Sequence, residues 1–179
     1  MAKAAGKQFE ASVQDSCIHH SIFVYRVRDV FVPPELRSRI EIPESPYDYI
    51  IANGIIIPAE LKSTQEKSLS FKMIRKNQVD GLNKAQQFEN TFPGFIFNFR
   101  DYNNRTYYIH IKDFLYYQRV VAGEAANPYR WKVNAGSIPL EICADIGFPV
   151  ENKLLKVHYR YDIPKLINDV KEKYSKGDN

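Results

Sequence analysis

The chain reads as an α/β protein with a mixed central β-sheet flanked by helices, in a single domain over residues 1–179. Three observations predict this. Apolar residues recur at helical spacing near both ends of the chain. Between them lie short β-branched and aromatic runs, punctuated by Asn53-Gly54 and Asn103-Asn104. Internal repeats, low-complexity tracts and Gly/Ser linkers are absent, and the length suits one core.

Taken in order, Ala5, Phe9, Val13 and Cys17 form one stripe of an opening helix. Residues 22–27 are β-branched and aromatic, as a strand requires. Residues 28–46 hold Pro33, Pro34, Pro43 and Pro46 beside Arg37 and Arg39, which predicts an extended excursion from the core. Residues 47–51 and 55–61 read as two strands joined at Asn53-Gly54, the strongest short hairpin signal. Pro58 lacks an N–H, so a bulge or kink is expected there.

A helix is expected over residues 70–89, with Ile74, Leu82 and Ala85 on one face. Residues 95–99 form a very apolar strand that should be covered on both sides. Asn103-Asn104 turns into a strand at 106–109, and residues 112–121 suit a short helix. Residues 122–134 carry no clear signal, and the remainder is expected to be mostly helical. Asp162 caps a last helix with Pro164 in its first turn and Leu166, Ile167, Val170 and Tyr174 as its buried stripe.

Composition excludes several classes. The content is 44% hydrophobic and 26% charged, which marks a folded globular chain. No run approaches the roughly 20 apolar residues of a membrane span, so no membrane partner is expected. The first residues lack the apolar stretch of a secretory signal. Cys17 and Cys143 have no partners at metal-ligand spacing, and a cytoplasmic setting with two buried thiols follows. His19, His20, His110 and His158 form no metal or triad pattern, and no glycine loop cradles phosphate. A net charge of +4 is mild, so the position of the charge matters more than its sum.

Chemistry concentrates in the hairpin. Asp48 lies on its first strand, and Glu60 and Lys62 lie near the end of the second. The turn brings Asp48 opposite a residue close to Glu60. Residues two apart on a strand share a face, so Glu60 and Lys62 project together. Two carboxylates and an ammonium on one sheet face are costly to bury without compensation. A hard divalent cation, Mg²⁺ or Mn²⁺, compensates them through oxygen ligands. Asp48 and Glu60 are the candidate ligands, with the Leu61 backbone carbonyl as a third. Lys62 is placed to orient the attacking water and to stabilise charge on a phosphate.

The pattern Tyr47-Asp48-Tyr49, hairpin, Glu60-Leu61-Lys62-Ser63 resembles the PD-(D/E)xK nuclease core. With Gly6-Lys7-Gln8-Phe9-Glu10, Ser68-Leu69-Ser70-Phe71, Asn77-Gln78-Val79, residues 95–99, Tyr107-Tyr108-Ile109 and residues 112–117, it is similar to the RecU-type Holliday-junction resolvases. The likeness runs from Gly6 to about Tyr117. Tyr47 separates the proline from the aspartate, so a strict Pro-Asp pair is missing, and the excursion is short.

The resemblance implies a restriction-endonuclease-like core and a homodimer that resolves four-way DNA junctions in recombination and repair. A recombinase is a further candidate partner. It also implies a stalk at about 28–46, with Arg26, Arg28, Arg37 and Arg39 meeting DNA phosphates. A second basic set, Lys67, Lys72, Arg75, Lys76 and Lys84, flanks the scissile strand, though part of it is simply a solvated helix face. Glu10 falls where these nucleases place a helix-one acid near the metal, or else is an exposed helix charge. Gln78 points toward the sheet, either as a structural amide or as a helper of the catalytic water. From another class, the chain reads as a non-catalytic DNA-binding or recombinase-modulating factor. The resemblance fits a bacterial cell, or a phage protein acting inside its host.

Overall fold

The chain opens with α1 (Ala2–His19), whose apolar stripe of Phe9, Val13 and Cys17 is buried. The computed structural model describes residues 2–28, 33, 35 and 45–174. After α1 come β1 (Phe23–Arg26), β2 (Tyr49–Ala52), β3 (Ile56–Thr64) and β4 (Ser68–Ser70). A single 3₁₀ turn at Phe71–Met73 leads to α2 (Lys76–Ala85). Then follow β5 (Gly94–Phe99), β6 (Arg105–His110), α3 (Ile111–Val121), β7 (Ser137–Pro139) and α4 (Leu140–Ile146). The chain ends with β8 (Phe148–Pro149), β9 (Asn152–Leu154), β10 (Tyr159–Tyr161) and α5 (Ile163–Tyr174). Arg37, Arg39 and most of the excursion expected at 28–46 lie outside the described residues.

Among the described residues, the main sheet has six strands in the order β1-β2-β3-β5-β6-β8. β3 and β5 run parallel, and its other pairings are antiparallel, so the sheet is mixed as expected. Each face carries its own core. On one side α1 and α5 pack over Ile51, Ile57, Ala59, Leu61 and Ile96. On the other, Leu82 of α2 and Phe114 and Tyr117 of α3 close over Phe95, Phe97 and Phe99. All six residues of β5 are buried, as its apolar run requires.

The hairpin register is continuous, from Tyr49 opposite Ala59 to Ala52 opposite Ile56. Pro58 sits opposite Ile50 without the expected bulge. Its missing N–H faces the other neighbour. Ile56 N donates to Asn90 O and Phe92 N to Ile56 O, and strand alternation aims position 58 at Phe92 O. The Tyr108 hydroxyl donates to that carbonyl instead, at 2.7 Å. A side-chain donor thus replaces the amide proline lacks, and the ladder keeps its register.

Two other expectations are corrected. The helix expected from residue 70 begins at Lys76, because Leu69 is drawn into β4 against Ile138 of β7, and Ser70 caps the 3₁₀ turn. Ile74 therefore precedes α2 rather than lying on its buried face. The final third is not mostly helical. It contributes four short strands, β7 to β10, before α5, whose Asp162 side chain accepts from Lys165 N at 3.0 Å as a cap.

Candidate active site

Asp48 and Glu60 come one residue beyond the last paired positions of the hairpin, Tyr49 and Ala59. The Asp48 main chain is held from both sides. Its N–H donates to Ala59 O at 3.1 Å, and its carbonyl accepts from Val27 N at 2.8 Å. Its carboxylate accepts from Leu61 N at 2.8 Å. The backbone of β3 thereby fixes the aspartate directly.

Leu61 also has a carbonyl to offer. Arg100 N donates to Thr64 O, so even-numbered residues of β3 bond toward β5. Alternation turns the Leu61 N–H and carbonyl to the opposite edge, which β2 has already vacated.

Glu60 and Lys62 share the face of β3 that looks toward α2, beside Phe95 and Phe97. Glu60 is 1% exposed. Its Oε1 accepts from Lys62 Nζ and from Gln78 Nε2, each at 2.5 Å. Its Oε2 is buried with no hydrogen-bond partner among the described residues. Burial raises the Glu60 carboxyl to about 7, and the Asp48 charge adds to this against the pull of Lys62. Burial likewise lifts Asp48, opposed by the Leu61 N–H and Lys62.

Two carboxylates beside one ammonium, with an oxygen left unpartnered, form a set that lacks positive charge. Among the described residues, no group of three or more His, Cys, Asp or Glu side chains is disposed to hold a metal ion. The Asp48 and Glu60 carboxylates with the Leu61 carbonyl nevertheless fit a hard dication. Mg²⁺ is commonly held by one or two carboxylates, with waters and substrate oxygens completing its shell.

Gln78 belongs to this cluster through its amide. Its Oε1 accepts from Arg75 N at 2.9 Å, closing the start of α2, while its Nε2 reaches Glu60. Glu10 is not a free helix charge. Arg26 Nη2 bonds its Oε2 at 2.8 Å, and burial followed by the Asp48 charge raises its carboxyl. Arg26 is thus engaged with Glu10 at the edge of the site. Arg75 adds positive potential at Glu60.

The remaining basic residues sit further out. Lys67 is ion-paired with Glu141 and Lys76 with Asp80, while Lys72 and Arg28 are exposed.

Sequence reasoning missed the device that sets the approach to Asp48. A Cβ at Gly81 of α2 would come 2.3 Å from Pro46 Cβ, so only glycine lets this segment lie against the helix. Asn77 Nδ2 also reaches Ser45 O, at 3.4 Å. A glycine inside a helix, about 1 kcal/mol worse than alanine, was the available signal.

No family model matches the chain. Among solved structures, it is similar to Hjc, a Holliday junction resolvase from the archaeal hyperthermophile Archaeoglobus fulgidus. The TM-score is 0.51 at 13% identity, over 81% of this chain and 96% of that one. That likeness shows the fold, a restriction-endonuclease-like mixed sheet flanked by helices. In sequence, the chain is 38% identical over 180 residues to the SPbeta prophage-derived uncharacterized protein YotM of Bacillus subtilis strain 168, covering 99% of this chain and 92% of that protein. Identity at this level along nearly the whole length places the chain in the family of YotM.

Proposed function

We propose that this protein is a Mg²⁺- or Mn²⁺-dependent endodeoxyribonuclease that resolves four-way DNA junctions, as a homodimer, in recombination and repair. One observation carries the reading: the buried Glu60 carboxylate keeps an unpartnered oxygen beside Asp48 and Lys62 at the open end of the hairpin. The fold it shares with Hjc, named as a Holliday junction resolvase, supports the same class of substrate.

Asp48, Glu60 and the Leu61 carbonyl would hold the metal. When bound, it supplies Lewis acidity toward the phosphate and lowers the pKa of water. Lys62 positions the nucleophilic water and offsets charge growing on the phosphate oxygens. Gln78 fixes the orientation of Glu60 from the helix side through Oε1, and Oε2 would remain available to a metal. Glu10 and Arg26 form the outer wall, with Arg26 and Arg28 near incoming phosphates. Lys67, Lys72, Arg75 and Lys76 line the strand beyond the cut.

A four-way junction has near two-fold symmetry and needs two cuts, which isologous pairing supplies. Phe23 and Tyr25, exposed on the edge strand β1, give such a pair apolar surface. The setting is the cytoplasm of a bacterial cell, for a host or a phage protein.

The test is cleavage of a labelled mobile four-way junction and a matching linear duplex, in Mg²⁺, Mn²⁺ or EDTA, by wild type and Asp48→Asn. Paired symmetric nicks in the junction alone, lost in EDTA and in the variant, support a resolvase. Binding without cutting in either metal leaves a DNA-binding factor in its place.

A further inference from the structure

The loop after α3 carries the chain's one tryptophan, Trp131, which is 42% exposed. The Arg130 guanidinium stands 5.1 Å from the centre of its ring. Lys132 follows, and a cavity of about 340 Å³ opens between Trp131, Lys132, Lys67, Ser68, Asn134 and Glu141. A single exposed indole is ordinary, but here the Arg130 guanidinium lies over its ring while Lys132 and Lys67 line the cavity beside it. Glu141 and Asp145 answer only part of that charge, through Lys67 and Arg130.

The loop is stitched to the segment that links the two halves of the candidate site. Phe71 N donates to Gly136 O, Leu140 N donates to Lys67 O, and β7 pairs with β4. This segment runs from Lys62 to Gln78, the two residues that bond Glu60, so the Trp131 loop and Glu60 are tied to one stretch of chain. Lys67 is five residues beyond Lys62, a reach of at most about 17 Å at strand rise. Along a nucleic-acid strand that spans on the order of five nucleotides.

We infer that Trp131, with Arg130, Lys132 and Lys67, forms a subsite for an unpaired nucleotide of branched DNA, the base stacking on the indole and the phosphate meeting the cations. The inference rests on the DNA reading above and assigns it a place on the surface. Stacking needs only a π-face, so the subsite accepts any base. Lys132 and Lys67 take phosphate as point charges, while Ser68, Asn134 and the Glu141 carboxylate offer hydrogen bonds to a base edge. A paired base inside a duplex has no free face to give, which makes this subsite selective for DNA with unpaired bases.

The single tryptophan makes the test direct. The full chain is titrated, in EDTA so that no strand is cut, with a fluorescently tagged blunt duplex, the same duplex bearing a thymidine overhang, and a four-way junction carrying unpaired thymidines at its branch point. Trp131 emission and probe anisotropy are read together. The expected result is quenching with the overhang probe and the junction, and none with the blunt duplex at equal occupancy.

Trp131→Ala should weaken binding of the overhang probe about ten-fold or more, with Trp131→Phe retaining most of the affinity. Lys132→Ala should lower the salt dependence of that binding by about one ion. Binding of the overhang probe with unchanged Trp131 emission, and unaltered by Trp131→Ala, overturns the subsite and leaves the nuclease reading intact. Absence of binding to every probe overturns both.

Discussion

Gln78 donates from Nε2 to Glu60 Oε1 while its own carbonyl oxygen accepts from Arg75 N. One side chain therefore ties the start of α2 to the most buried acid of the site. Replacing Gln78 with Met keeps the volume and removes both bonds. The expected cost is about 1–3 kcal/mol in a urea melt, with slower junction cleavage. Gln78→Glu places another carboxyl against Glu60, so its stability deficit should be larger at pH 8 than at pH 5.

Metal addition in the absence of DNA should raise the Tm of the wild type and leave Glu60→Gln nearly unchanged. The sign of the pH effect follows from Glu60. Its folded carboxyl sits near 7, above its unfolded value, so its own contribution to metal-free stability is greatest at low pH and declines as pH rises through 7. Protons compete with metal over that window. The increment from a fixed Mg²⁺ concentration should therefore be larger at pH 8 than at pH 6. At about ten times the dissociation constant it amounts to ~1.4 kcal/mol, readable by differential scanning fluorimetry.

Gly81→Ala inverts an ordinary rule. In a helix interior the change usually stabilises by about 1 kcal/mol. Here the new methyl meets Pro46 Cβ at 2.3 Å. The expected outcome is a loss of about 1–3 kcal/mol, together with slower cleavage as the approach to Asp48 shifts. Pro46→Gly removes the opposing atom, so the double variant should recover much of the loss in a mutant cycle.

His110 is 3% exposed, its Nδ1 accepts from Lys112 N at 3.1 Å, and its ring lies 4.4 Å from that of Tyr174. Burial lowers it to about 4, with Asp113 pulling upward and Lys112 and Lys173 downward. The unfolded chain takes up a proton near 6.5 and the folded one does not. Stability from this group is complete above that pH and is lost as pH falls from 6.5 through 4, by about 3 kcal/mol in total. His110→Asn keeps an acceptor for Lys112 N without the titration. Wild type minus variant, followed by urea melts from pH 7.5 to 4, should trace that loss.

Tyr108→Phe deletes the donor that serves Phe92 O in place of Pro58. A buried carbonyl left unmet costs about 1–3 kcal/mol. The change should appear in chemical denaturation, with cleavage per folded molecule preserved.

What could be read in advance followed local rules. Asn53-Gly54 sets the hairpin register, and period two puts Glu60 and Lys62 on one face, so the heart of the candidate site was legible from spacing alone. Gln78 pointed inward by helical spacing, but its partner was not evident. The misses are long-range. Leu69 is a strand residue only because Ile138 is opposite it. The strands β7 to β10 are two or three residues long, too short to show a period. Lys67 looked like a free cation until the fold brought Glu141 to it. Pro58 looked like a break because the hydroxyl that covers for it lies fifty residues on, at Tyr108.

Glu60 lies on β3 and Asp48 just ahead of β2, but the Glu60 side chain and the segment leading into Asp48 are held by α2, through Gln78 on Glu60, Gly81 against Pro46 and Asn77 on Ser45. A ten-residue helix is too short to persist on its own in water. When α2 detaches, all three supports go at once, while the sheet beneath can stay closed. The lifetime of the aligned site is therefore the lifetime of one docked helix, and amide exchange along α2 measures both with a single rate.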